Sequence, residues 1–129
     1  MTRRMGIAGM ALAAGALAVA GCGGGGEGAG TGDDGAAGKI AFLLPESKTS
    51  RYEQQDRPNF ERRVRELCPD CEVLYSNANQ DPAKQQQQAE AAITQGAKVM
   101  VLDAVDVESA STIVARAKQA NVPVISYGR

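Results

Sequence analysis

From residue 39 onward, short apolar runs alternate with longer segments in which apolar residues recur every three or four positions. Residues 39–44 (KIAFLL) form a greasy run stopped by Pro45, the pattern of a buried strand. After a polar stretch, Phe60, Val64 and Leu67 fall at i, i+4 and i+7, which predicts an amphipathic helix. Its start reads two ways. Ser50 and Glu53 have the spacing of a capping box, while Asp56 ahead of Pro58 gives an N-cap with proline in the first turn. Residues 72–76 (EVLYS) are a second strand. Asp81 then caps a helix with Pro82 at its first position, and Gly96 ends it. Ala89, Ala92 and Ile93 form that helix's apolar face, and the run from Gln85 to Gln88 reads as solvated surface. Residues 99–103 give a third strand. Asp106 caps a third helix with Ile113, Val114 and Ala117 buried, Asn121 punctuates it, and residues 122–127 give a fourth strand.

Apolar strands alternating with helices predict an α/β fold: a parallel sheet covered on both faces. Ligands of such sheets sit beyond the carboxyl ends of the strands. Those ends are residues 45–52, 77–79, 103–106 and 127–129, and they hold the polar and aromatic side chains that the strands lack. Asp103 is a candidate ligand contact there and equally a turn former.

Ahead of residue 39 the pattern is different. Arg3 and Arg4, an apolar run over residues 7–20, and the small residues of Val19-Ala20-Gly21 before Cys22 read as a lipoprotein signal peptide over residues 1–21, with the Cys22 thiol as lipid acceptor. The apolar run is short for a membrane-spanning helix, which needs roughly 20 residues. Residues 22–38 are nearly all Gly, Ala, Thr, Asp and Glu, too poor in apolar surface to fold, and read as a flexible linker. They contain a formal G-x-G-x-x-G, but it precedes the first strand rather than following one, so it carries no dinucleotide-binding implication. The expectation is an extracytoplasmic domain over residues 39–129, lipid-anchored to the outer face of a bacterial cytoplasmic membrane.

Composition narrows the chemistry. The formal net charge is −1, and removing residues 1–21 takes away two arginines and no acid, so no basic footprint for nucleic acid remains. There is no histidine, which removes Ser-His and Cys-His nucleophile pairs and the commonest zinc ligand. No metal site, cofactor or enzymatic activity is expected. Cys68-Pro69-Asp70-Cys71 reads as a redox pair, half a zinc site or a structural clip. Zinc lacks further ligands. Cys68 sits at the C-terminal end of its helix, where the dipole does not lower a thiol pKa, so a local disulfide is the favoured reading.

Residues 39–44 with Ser50-Arg51-Tyr52-Glu53-Gln54-Gln55-Asp56 resemble the first strand and ligand loop of sugar-binding type I periplasmic binding proteins, with the xylose-binding branch closest. Residues 89–102 (AEAAITQGAKVMVL) and 115–127 (ARAKQANVPVISY) are similar to the family's next segments, so the resemblance spans residues 39–129. It implies two lobes that close on a sugar and deliver it to the permease of an ABC importer. By resemblance Arg51, Tyr52 and Arg129 are ligand-binding residues. Arginine donates to vicinal hydroxyls, and an aromatic face packs on a pyranose ring. The implied ligand is a pentose or similar monosaccharide.

This sequence departs from the family at Gly128, where an aspartate is usual, and at Ala104, where proline is frequent. It also stops at Arg129, before a second lobe of the usual roughly 100–150 residues. The expectation is therefore the N-terminal lobe of a receptor, incomplete, with the second lobe absent; alone it should bind sugar negligibly, because closure needs both lobes. Two other readings stay open: an extracytoplasmic thiol-disulfide protein using Cys68 and Cys71, and an inactive truncated receptor.

Overall fold

A computed structural model of the protein describes residues 37–128. The signal segment, Cys22, nearly all of the linker and Arg129 lie outside the described residues. Four strands form one sheet: β1 (Lys39–Leu44), β2 (Glu72–Asn77), β3 (Ala97–Leu102) and β4 (Val124–Ser126). Every pairing is parallel and the order is β2-β1-β3-β4. The connections carry helices α1 (Arg57–Leu67), α2 (Pro82–Thr94) and α3 (Val107–Gln119). The expected parallel α/β sheet is present, and its strand order places a topological switch point between β1 and β3.

The greasy run of β1 is explained by its place at the centre. Ala41, Phe42, Leu43 and Leu44 have no exposed surface. Alternate side chains enter two separate cores. Ala41 and Leu43 join Met100, Leu102, Ala89, Ala92, Ile113 and Ala117 beneath α2 and α3. Phe42 and Leu44 join Tyr52 and Val101, with Phe60, Tyr75 and Tyr127 packed against them. Phe42 stacks on Phe60 with centroids 4.2 Å apart and meets Tyr127 edge-on at 5.8 Å, favourable aromatic geometries.

Several boundaries and burials differ from expectation. β3 begins two residues early: Gly96, at φ +88°, turns the chain straight from the helix into the sheet, and the β1–β3 register is irregular between Lys39 and Ile40. β4 is short because Val122 still belongs to the helix end, its N–H donating to the Ala117 carbonyl, with Asn121 in the left-handed conformation before it. Leu67 is 69% exposed at the last residue of α1, and Val114 is 44% exposed beside the edge strand. Gln85 is not solvated surface; it is fully buried. Cys68 and Cys71 are disulfide-linked at the C-terminal end of α1, closing the turn into β2.

The stacked position of Phe42 gives a direct check. Phe42→Ala should lower unfolding stability by about 3–5 kcal/mol in urea titrations, the usual cost of deleting a buried ring.

Candidate functional site

The site is built at the carboxyl ends of the strands. Leaving β1, the chain folds around Glu46, whose nearly buried carboxylate accepts the N–H groups of Lys48 at 2.6 Å and Thr49 at 3.1 Å. These bonds bend the loop into a helical turn that continues, without a break, through a π-helical turn at Tyr52–Asp56 into α1. The expected start of α1 after Asp56, with Pro58 in its first turn, is present, but as a change of helix type and not as a side-chain cap. Asp56 has helical backbone angles and its side chain makes no capping bond. The Glu53 carboxylate turns away to the end of β2, where it accepts from the Tyr75 hydroxyl and from Asn77 Nδ2. Arg57 lies 3.9 Å from the Tyr75 ring centroid and pairs with both Glu53 and Glu61.

The Asp56 carboxylate, free of any capping bond, is mostly buried beside the β1 loop. It accepts from Arg51 Nε at 2.9 Å and from the Tyr127 hydroxyl arriving from the end of β4. Burial, then the Asp56 hydrogen bond, raises the Tyr127 phenol above its ordinary value, so it stays a proton donor. The adjacent Asp56 charge likewise raises the Arg51 guanidinium. Arg51 is half exposed and sits 5.1 Å from the Tyr52 ring centroid, a cation–π contact. Tyr52 itself is only 5% exposed and belongs to the aromatic core. It supports Arg51 from below and has little face open to a ligand.

Asp103 leaves β3 fully buried, its N–H donating to the Leu43 carbonyl at 3.0 Å. Gly128 lies against its carboxylate. A Cβ on Gly128 would stand 2.3 Å from Asp103 Oδ2, and its φ is +84°, a region side chains rarely adopt. Glycine at this position is thus dictated by the buried carboxylate below it. The acceptor that Gly128 lacks lies within the same few ångströms, on Asp103.

The β2 loop completes the rim. Ala78 and Gln80 donate backbone N–H groups to the Leu44 and Pro45 carbonyls, and Asn79 and Gln80 hold positive φ. A cleft of about 250 Å³ lies between the β1 and β2 loops, lined by Glu46, Ser47, Lys48, Asn79 and Gln80. The expected cap Asp106 does cap α3, accepting from Ser109 N–H at 2.7 Å, and this bond lowers its pKa. Among the described residues, no group of three or more His, Cys, Asp or Glu could hold a metal ion.

The structure therefore gathers Arg51, Asp103 and Tyr52 at one end of the sheet and adds Asp56 and Tyr127. From sequence, Asp56 reads more readily as a helix cap than as a ligand contact, because an aspartate ahead of a proline has the capping pattern. Gly96 and Gly128 separate backbone from contact effects. Both have positive φ, but nothing lies within 4 Å of a Cβ on Gly96. Gly96→Ala should cost about 1 kcal/mol, the ordinary penalty for a left-handed residue. Gly128→Ala should cost measurably more in the same thermal unfolding series, because Asp103 must also move.

Comparison with known proteins agrees with this fold. The sequence profile of the periplasmic binding protein domain matches residues 40–129. Three solved structures are similar. An ABC transporter solute-binding protein from Mycobacterium smegmatis, with bound glycerol, is 25% identical with a TM-score of 0.62, over 70% of this chain and 31% of that one. One from Bacillus halodurans, with bound myo-inositol, is 26% identical with a TM-score of 0.63, over 75% and 33%. A carbohydrate transporter solute-binding protein from Chloroflexus aurantiacus, in complex with D-glucose, is 28% identical with a TM-score of 0.63, over 70% and 26%. The chain thus spans about a third or less of the length of these proteins. A profile covering most of the chain, on a parallel sheet whose polar groups converge at its carboxyl end, establishes that the chain belongs to the periplasmic binding protein family.

Proposed function

We propose that the protein is the solute-binding component of an ABC sugar importer, non-catalytic, recognising a monosaccharide of the pentose or xylose-like class and handing it to a membrane permease. The observation that carries this reading is the array of Arg51, Asp56, Tyr127 and Asp103 at the switch point between β1 and β3. Sugar hydroxyls are donors and acceptors at once, and this array offers both. Arg51 donates to vicinal hydroxyls, Asp56 accepts, and the Tyr127 ring supplies apolar surface, while Asp103, fully buried beneath Gly128, backs the array. Arg129, next in the sequence and outside the described residues, is a further ligand-binding candidate by resemblance. The glucose, inositol and glycerol bound by the similar proteins are all polyols, which is consistent with such an array. The groove beside β4, lined by Leu102, Val105, Val107, Val114 and Val124, is apolar and suits a polyol poorly.

The N-terminal signals complete the proposal: Cys22 carries the lipid, and the linker holds the domain off the outer face of the cytoplasmic membrane. The Cys68–Cys71 disulfide clips the end of α1 and has no part in catalysis.

Isothermal titration of the full-length gene product with D-xylose, L-arabinose, D-glucose and myo-inositol tests the assignment. Saturable binding of at least one sugar is expected, weakened about tenfold or more by Arg51→Ala, the size expected when a charged hydrogen bond is lost. Absence of binding across the panel, or an Arg51→Ala variant with unchanged affinity, contradicts it.

A further inference from the structure

We propose that Gln85 is the positioning residue of the site, an amide clamp reaching from α2 to hold the segment 103–105 in its binding geometry. This inference rests on the sugar-binding reading above. Gln85 is the only glutamine in its run of four with no exposed surface at all. It sits on the first turns of α2, where a long polar side chain would ordinarily reach water. Its amide instead enters the protein and is used at both ends. Nε2 donates to the Asp103 carbonyl at 2.9 Å, and Oε1 accepts the Val105 N–H at 2.9 Å.

These two partners bracket the point where the chain leaves β3. The Asp103 N–H is still part of the sheet, donating to Leu43. Beyond it, the carbonyl of Asp103 and the N–H of Val105 have left the strand ladder and are buried or half-buried. Such groups need partners inside the protein. One planar amide satisfies both and fixes the peptide planes on either side of Ala104. The backbone that carries the Asp103 side chain is thereby fixed beneath Gly128, where a Cβ would stand 2.3 Å from Asp103 Oδ2. Gln88, one turn further along α2, makes the related contact at the end of β2: its Nε2 donates to the Asn77 carbonyl at 2.8 Å. Through this face α2 anchors two of the loops that form the site, from the side opposite α1.

The two amide ends can be removed separately. Gln85→Glu keeps an acceptor for the Val105 N–H but, ionised, loses the donor to the Asp103 carbonyl. Gln85→Met keeps the volume and loses both. Amide hydrogen exchange and sugar titration on the full-length gene product, at a temperature where circular dichroism shows each variant folded, read the consequences. We expect Val105 N–H exchange to accelerate about tenfold or more in Gln85→Met and to change far less in Gln85→Glu, since only the former leaves that N–H without its partner. Both variants should weaken binding of whichever panel sugar the wild type takes by about tenfold, because Asp103 moves in each. Unchanged Val105 exchange in Gln85→Met, or folded variants that bind within twofold of the wild type (about the scatter of such comparisons), overturns the clamp. If the wild type binds no sugar in the panel, the sugar reading fails on its own, and Val105 exchange still decides whether Gln85 positions this loop.

Discussion

Burial of β1 on both faces is the constraint from which the rest of the structure follows. A strand with Ala41, Phe42, Leu43 and Leu44 all shielded from water needs a paired strand on each side and a helical layer above and below. The register places Leu44 opposite Asn77 and Leu43 opposite Leu102. The strands consequently end together, and their exit loops share one rim. α1 lies over one face and α2 and α3 over the other, so the chains leaving β1 and β3 diverge. The crevice they leave is where backbone ladders stop and side chains must satisfy the exposed polar groups.

At that rim the polar residues are organised in two tiers. The outer tier is Arg51, Asp56 and Tyr127, in which Asp56 bridges a cation from the β1 loop and a phenol from the β4 end. The inner tier is Asp103, buried beneath Gly128 and held by the backbone of Leu43 and the amide of Gln85. An array in which Arg51 already orients the Asp56 carboxylate and Gln85 holds the Asp103 backbone loses little freedom on binding a ligand. The aromatic core beneath, with Phe42 stacked on Phe60 and edge-on to Tyr127, joins the tiers to the sheet.

The parts legible in the sequence were those with local causes. The caps at Asp81 and Asp106 accept from the backbone three residues on, a geometry set by the next turn alone. The greasy β1 run and the Gly96 stop are likewise local. Gln85 was not legible: its partners lie 18 and 20 residues away, and a glutamine run carries no sign of which member turns inward. Asp56 reads chiefly as a cap for the opposite reason. Its neighbourhood contains a complete capping pattern, and only the π-helical turn ahead of it, fixed by Tyr75 and Asn77 on another strand, frees its carboxylate. Gly128 stood out as a departure, and its explanation needed the position of Asp103 in space.

The central claim is that a polyol binds at the carboxyl ends of these strands. The most direct measurement is nuclear magnetic resonance mapping of the isotope-labelled full-length gene product during titration with monosaccharides. The account predicts shifts confined, within this lobe, to residues 45–56, 77–80, 103–106 and 127–128. Shifts centred instead on the outer faces of α2 and α3 or the groove beside β4, or none in this lobe under saturating sugar, would contradict it.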